Sequence, residues 1–369
     1  MKIVTIVGAR PQFIKVAPVW RAIQQHNLQG AEPQITEIFV HTGQHYDYEM
    51  SQVFFDQLEI PNPQYHLGIG SGTHGEMTGL MLPRIERVLL QEKPDWAVVY
   101  GDTNSTLAGA LAASKLHIPL VHVEAGLRSF NRRMPEEINR VLTDHISAVL
   151  FCPTDIAVWN LRKEGIREGV FNVGDVMYDA FVFCKDLALR NSTILPDLGL
   201  KPGNYFLATV HRQENTDDTR NLENIFLTFG QFARPDCPVI VPLHPRTRKA
   251  LDNKGVERLN QHVRLIPPVS YLDMIALESQ SRLIMTDSGG VQKEAYFSGV
   301  PCVTLRAETE WIEIVESGWN YLGGTECKQI RAAFEKALHF CRGEQPRFYG
   351  EGQASQLILN HLLTFDSYS

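Results

Sequence analysis

Along the first half of the chain, short apolar runs rich in β-branched residues alternate with stretches of helical spacing. Ile3–Val7, Ile35–Val40, Trp96–Tyr100, Leu120–Val123, Val149–Cys152 and Val170–Val173 read as strands. Helical patterns fall between them at Gln12–His26, Met50–Leu58, Thr73–Gln91, Thr106–Leu116 and Pro135–Ile146, and Pro11 suits the first turn of the first helix. Strands and helices alternating at this spacing imply a parallel sheet covered on both faces. A polar, proline-bearing stretch from Arg190 to Pro196, then Gly199 to Gly203, reads as a linker. After it the alternation restarts, with strands at Tyr205–Val210, Val239–Leu243, Val263–Ile266, Leu283–Thr286 and Cys302–Leu305. The pattern predicts an α/β chain of two doubly wound parallel-sheet domains, residues 1–190 and 191–350, facing a cleft. The last segment, 351–369, carries a helix over Gln353–Leu363 that packs back on the first domain.

Composition serves mainly to exclude partners. A chain of 369 residues exceeds what one hydrophobic core usually serves, which agrees with two domains. A net charge of −7 without any clustered Lys/Arg run leaves no surface for nucleic acid, so the expected partner is a small molecule. The six cysteines are scattered, never spaced Cys-x-x-Cys, and several sit in apolar runs, so they read as reduced core residues. Lys2–Val7 is interrupted too soon by Gly8-Ala9-Arg10-Pro11 for a signal peptide, and no apolar stretch approaches membrane-spanning length. The expectation is a cytoplasmic enzyme with no membrane partner.

Candidate chemistry gathers where strands end. Leu283–Thr286 turns through Asp287-Ser288-Gly289-Gly290 into a helix, which leaves N–H groups unpaired at the positive end of a helix dipole. Read one way, this is an ordinary N-capped helix. Read the other, it is an anion cradle with Glu294 one turn further on, in reach of a ribose hydroxyl. Arg10 and Lys15, in the loop and helix after the first strand, are surface cations or the two sides of a diphosphate site. Asp102, after Trp96–Tyr100, either caps the next helix or acts in catalysis, whereas Glu124, directly at the end of Leu120–Val123, is harder to explain as a cap. Glu136 and Glu137 open the next helix, where a favourable dipole interaction is the plain alternative; Asn139 and Arg140 follow on it. Crowded carboxylates drive their pKa values apart and so supply both an acid and a base near neutrality. The second domain adds His211 and His244 at successive strand ends. No His/Asp/Glu set has metal spacing, so no metal is expected; the Gly-x-Gly-x-x-Gly and P-loop signatures are also absent.

Taken together, Gly8-Ala9-Arg10-Pro11-Gln12-Phe13-Ile14-Lys15, Gly101-Asp102-Thr103, His122-Val123-Glu124-Ala125-Gly126-Leu127-Arg128, Pro135-Glu136-Glu137-Ile138-Asn139-Arg140, His211-Arg212, Thr286-Asp287-Ser288-Gly289-Gly290 and Tyr349-Gly350-Glu351-Gly352-Gln353-Ala354 form a specific set. On these motifs the chain resembles the non-hydrolysing UDP-N-acetylglucosamine 2-epimerase family from end to end. The resemblance implies two Rossmann-like domains of the glycosyltransferase-B type, a homodimer, and inversion at C2 of a UDP-linked 2-acetamido sugar with no added cofactor. It implies that UDP is eliminated to a 2-acetamidoglycal held in a closed cleft and then added back. By position, Asp102, Glu124 and Glu136 match the family's acid/base carboxylates. Arg10, Lys15 and His211 match residues near the diphosphate and leaving oxygen, with His211 counted in the catalytic set; Ser288, Gly289 and Gly290 match the phosphate cradle, and Glu294 the ribose ligand. Arg140 and His244 join the substrate-binding set. Gln44 and His45 match the pair at a second, allosteric UDP-sugar site.

Gly8-Ala9-Arg10-Pro11-Gln12 stands where the family's plain members carry Gly-Thr-Arg-Pro-Glu. That variant, His41–Asp47 and Thr309-Glu310-Trp311-Ile312-Glu313 look more like the branch acting on modified sugars, such as UDP-2,3-diacetamido-2,3-dideoxyglucuronate. The Arg10-Pro11 pair argues against net hydrolysis. A glycosyltransferase shares the architecture but needs an acceptor and fewer carboxylates; a nucleotide-sugar sensor needs none of them.

Overall fold

The computed structural model describes residues 1–44, 60–254, 260–340 and 343–365. The helix expected over Met50–Leu58 lies outside them. Two compact units emerge: Met1–Val182 with Arg347–Ser369, and Phe183–Pro346.

The first unit is built on β1 (Lys2–Val7), β2 (Thr36–His41), β3 (Tyr65–His66), β4 (Trp96–Tyr100), β5 (Leu120–Val123), β6 (Val149–Cys152) and β7 (Val170–Asn172). Their order is β3-β2-β1-β4-β5-β6-β7, and all pairs are parallel. Continuous apolar strands such as Trp96–Tyr100 suit this arrangement, because both faces are covered. One face packs on α2 (His74–Glu92) and the Ala-rich α3 (Asn104–Lys115): Val4, Ile6, Val40, Ala97 and Val99 meet Met81, Ile85, Ala108 and Ala112. Opposite them lies α1 (Arg10–Leu28), where the Trp20 ring meets Phe39 edge-on. Truncating a fully buried residue such as Ile85 to Ala costs on the order of 2–5 kcal/mol. The other helices of this unit are α4 (Pro135–Ile146), α5 (Asp155–Lys163) and the start of α6 (Val176–Asn191).

The chain passes between the units inside α6, not at the polar stretch that follows. No Gly or Pro interrupts Val176–Asn191, and Phe181, Cys184 and Ala188 are buried at helical spacing, so nothing breaks the helix there. The stretch read as a linker instead holds a short helix, α7 (Ile194–Asp197).

In the second unit, β8 (Phe206–Thr209), β9 (Val239–Pro242), β10 (Val263–Ile266), β11 (Leu283–Thr286), β12 (Cys302–Thr304) and β13 (Asn320–Leu322) take the order β10-β9-β8-β11-β12-β13, again wholly parallel. Between them run α8 (Gln213–Thr216), α9 (Thr219–Phe232), α10 (Pro245–Lys254), α11 (Tyr271–Ser279), α12 (Gly289–Phe297), α13 (Ile312–Glu316) and α14 (Cys327–Leu338). The last helix, α15 (Ala354–Thr364), belongs to the first unit, where it packs on α1; the His361 and Phe365 rings beside it meet Phe171 and Trp96.

The two-residue β3 and three-residue β13 are too short for a hydrophobic period to reveal. Both sheets reverse their strand order once, between β1 and β4 and between β8 and β11. Crevices at such points, beyond the carboxyl ends of the strands, are where open α/β sheets hold ligands.

Candidate active site

At the first switch point, β1 ends at Val7 and Arg10 is the first residue of α1, placed by its backbone alone. Lys15, one turn on, is buried, and its ammonium pairs with the Glu124 carboxylate at the end of β5. The pair lies over Gly101: a Cβ there would meet Glu124 Oε2 and Lys15 Nζ, each at 3.2 Å, and the residue's φ is +63°. Only glycine satisfies both conditions. Glu124 itself has φ +72°, a left-handed backbone that costs a non-glycine residue about 1–2 kcal/mol. Its N–H and that of Ala125 both donate to the Phe151 carbonyl at 3.0 Å, which holds the turn in place.

Asp102, half-buried at the end of β4, pairs with the Arg140 guanidinium of α4. Its backbone carbonyl accepts from Asn139 Nδ2 at 2.9 Å. The inward face of α4 is polar, with Glu137, Arg140 and Asp144 buried, while Ile138 and Leu142 are exposed. Glu136 and Glu137 have separate tasks. Glu137 accepts from the Ser129 and Phe130 N–H groups at 2.9 Å and lies 3.3 Å from Arg140, so it braces the preceding loop. Glu136 is half-buried and makes no ion pair among the described residues.

Gln12 explains one departure of the N-terminal motif. Its Oε1 accepts from the N–H groups of Gly8 and Ala9 at 2.8 and 2.9 Å, and its Nε2 donates to Tyr100 O and Thr106 Oγ1 at 2.9 and 3.0 Å. A carboxylate could not make the last two bonds. Gln44 accepts from the N–H and hydroxyl of Ser105 at 3.0 and 2.7 Å, so it tethers the start of α3; His45 lies outside the described residues.

At the second switch point, Ser288 caps α12, its Oγ accepting from Val291 N–H at 3.4 Å, and Gly289 and Gly290 form the first helical positions. Asp287 is fully buried and accepts from the N–H groups of His211 and Arg212 and from Asn215 Nδ2 at 2.9–3.1 Å. It also lies 3.3 Å from His211 Nδ1. Asp287 thus ties the loop after β8 to the loop after β11. His211 and His244 come together, with ring centroids 5.8 Å apart.

Glu294, the sixth residue of α12, is buried and accepts a hydrogen bond from Tyr271 Oη at 3.1 Å. Glu278, on α11, is fully buried behind it; burial first, and the Glu294 charge next, push the Glu278 carboxyl well above the usual carboxylate range. A Cβ on Gly289 would meet Glu310 Oε1 at 2.5 Å, and Glu310 Oε2 lies 3.3 Å from Arg306 Nη1. A carboxylate paired with a buried arginine therefore lies against the start of α12.

Asp287 and Glu310 stand in the sequence motifs without a role of their own, and Glu278 stands in none of them. Glu278 had a readable signal, an acidic residue closing the apolar run Ile275-Ala276-Leu277. No group of three or more His, Cys, Asp or Glu residues arranged to hold a metal ion occurs among the described residues.

The family model described as UDP-N-acetylglucosamine 2-epimerase matches residues 27–363. A UDP-N-acetylglucosamine 2-epimerase homolog of Methanococcus maripaludis is 55% identical over 366 residues, 98% of this chain and 99% of that one. The UDP-2,3-diacetamido-2,3-dideoxy-D-glucuronate 2-epimerase of Pseudomonas aeruginosa is 50% identical over 365 residues, with 98% and 99% covered. The crystal structure of Methanocaldococcus jannaschii UDP-GlcNAc 2-epimerase in complex with UDP-GlcNAc and UDP is similar at a TM-score of 0.90 and 46% identity, covering 99% of this chain and all of that one.

Proposed function

The chain belongs to the UDP-N-acetylglucosamine 2-epimerase family, and from that membership we propose that it inverts C2 of a UDP-linked 2-acetamido sugar by eliminating UDP and adding it back. Its two parallel-sheet units have the glycosyltransferase-B type of architecture. In the forward step a carboxylate takes the C2 proton, the C2–H electrons form the C1=C2 double bond, and the C1–O bond breaks toward the diphosphate. A second carboxyl then protonates C2 from the other face, and a UDP oxygen closes on C1. No net oxidant or water is consumed.

Asp102, Glu124 and Glu136 serve the two faces of C2. Lys15, Arg140 and Arg10 supply positive charge in the same unit, while Ser288, Gly289, Gly290, His211 and His244 receive the diphosphate and Glu294 the ribose. The observation that carries this reading is the pairing at the ends of adjacent strands: Glu124 with Lys15 and Asp102 with Arg140, flanking one turn.

Incubation in deuterated water with UDP-N-acetylglucosamine, and separately with its 2,3-diacetamido glucuronate analogue, should place deuterium at C2 of at least one. Exchange with neither would sink the reading, and the faster of the two identifies the sugar. We further take the enzyme to be a cytoplasmic homodimer. The five described cysteines, all free thiols, support the first part, and the exposed Ile138 and Leu142 on α4 support the second. Sedimentation of the purified protein as a monomer at micromolar concentration would refute the dimer. Among the described residues, no helix is long and apolar enough to cross a membrane.

A further inference from the structure

The polar exception in β5 is His122, fully buried next to the first switch point. Its Nδ1 lies 2.7 Å from Asp144 Oδ1 and its Nε2 lies 2.7 Å from the carbonyl oxygen of Gly101. A carbonyl oxygen only accepts. Asp144 also only accepts, because the buried Arg128 guanidinium, 2.7 Å from its Oδ2, holds it as a carboxylate. A neutral imidazole has a single N–H, so one of these two contacts would set lone pair against lone pair. Both contacts are hydrogen bonds only if both ring nitrogens donate.

The surroundings suit that charge. Asp144 Oδ2 accepts from Gly126 N–H at 3.1 Å and Arg128 Nη1 at 2.7 Å, and Arg128 holds Glu164 through Nε and Nη2 at 2.7 and 2.8 Å. Glu164 lies 3.2 Å from His145 Nε2. On the β6 side the neighbour is the Cys152 thiol, kept neutral by burial and then by the Asp144 charge. Signs alternate from the imidazolium through Asp144, Arg128 and Glu164.

The other end of this chain is the turn that carries the chemistry. Tyr100, Gly101 and Asp102 present three successive carbonyls, and each is held by side chains: Tyr100 by Gln12 and Thr106, Gly101 by His122, Asp102 by Asn139. Two residues beyond His122, the same strand delivers Glu124. We propose that His122 is a positioning residue for C2 proton transfer, a buried imidazolium whose Nε2–H anchors the Gly101 carbonyl and so fixes the turn that carries Asp102 beneath the Lys15–Glu124 pair. The role in proton transfer rests on the epimerase reading; the doubly protonated ring does not.

Two measurements test it. In protein labelled with 15N-histidine, the His122 ring, assigned by its absence in His122→Gln, should show two protonated nitrogens near neutral pH. One bare and one protonated nitrogen would overturn the imidazolium. In deuterated water, His122→Asn should lower kcat for C2 exchange by about 100-fold, the scale of a misplaced catalytic group. KM should change by less than about 3-fold, and UDP should still bind one per chain. A fall in kcat matched by an equal fall in the UDP-binding fraction would make His122 merely structural and overturn the positioning role. If the variant does not fold, the spectrum of the unsubstituted protein still decides the protonation state. Absence of exchange in the unsubstituted enzyme would overturn the epimerase reading and this role with it, whatever the spectrum shows.

Discussion

At the ends of β4 and β5 the first unit sets carboxylates against cations, Asp102 with Arg140 and Glu124 with Lys15, on a turn whose carbonyls are clamped from four elements. At the ends of β8 and β11 the second unit sets two histidines and the start of α12 around Asp287, whose bonds run mostly to backbone N–H groups. Apart from the extra edge strand β7 in the first, the two sheets share one strand order, so topology alone supplies a switch point and leaves its chemistry open. A rigid set of paired charges suits a step in which a proton must move between fixed atoms. A helix start with small residues suits the recognition of an anion that departs and returns. On the proposed reading this is a division of labour: proton transfer in the first unit, leaving-group capture in the second.

The strongest way to break this division is Glu124→Gln. It keeps the shape and removes the charge, and it should lower the C2 exchange rate by about 10²–10⁴-fold, the usual worth of a positioned acid or base. UDP affinity, measured by calorimetry, should change little. The companion change Lys15→Met leaves Glu124 buried without its cation and should cost about 3–5 kcal/mol of stability in urea unfolding. Equal losses of UDP affinity and exchange in Glu124→Gln would place the diphosphate in the first crevice and end the division.

A second test contrasts carboxylates with and without cations inside the first unit. Glu37 on β2 has its stem half-exposed and its carboxyl buried; Oε1 accepts from Thr5 Oγ1 at 2.6 Å, and Oε2 has no hydrogen-bond partner among the described residues. Burial raises its pKa from 4.5 to about 7, with the Thr5 hydrogen bond opposing. The folded value lies above the unfolded one, so between those two pH values the folded chain keeps a proton that the unfolded chain has lost. Stability therefore falls across that window, by up to about 3 kcal/mol once pH exceeds the folded value. Glu37→Gln should unfold at higher urea than the parent at about pH 8 and match it near pH 4. No difference at the higher pH would mean that the carboxyl is solvated after all.

Much of this was readable beforehand, for identifiable reasons. Strands buried on both faces announce themselves as apolar runs, and polar residues directly after them stand out, which is how Asp102, Glu124, His211 and Ser288 were singled out. A polar, proline-bearing stretch looks like a linker, whereas the chain passes between the units inside α6, which continues on buried Phe181, Cys184 and Ala188. Glu136 and Glu137 are adjacent on one helix, about 100° apart, and only packing decides which of them braces the loop. The His122–Asp144–Arg128 chain joins β5, the loop after it and α4. Hydrogen-bond partners that far apart leave no periodic trace in the sequence.

The smallest expected effect lies in the second crevice. Ser288→Ala removes the cap of α12 and one oxygen facing the expected phosphate, and a single hydrogen bond of this kind is worth up to about 1.5 kcal/mol, roughly a 10-fold rise in KM. Gly289→Ala should raise KM further, because its Cβ would meet Glu310 Oε1 at 2.5 Å and displace a carboxylate held by Arg306. Neither should slow C2 exchange at saturating substrate by more than a few-fold, since neither residue lies in the unit that carries the proposed acid/base carboxylates Asp102, Glu124 and Glu136. Both should release more free glycal, seen as UDP appearing without epimer, because a weakened cradle lets the leaving group escape before it adds back. If either variant instead lost exchange at saturation while keeping its KM, the second switch point would be taking part in proton transfer, and a shared strand order would no longer go with separate tasks.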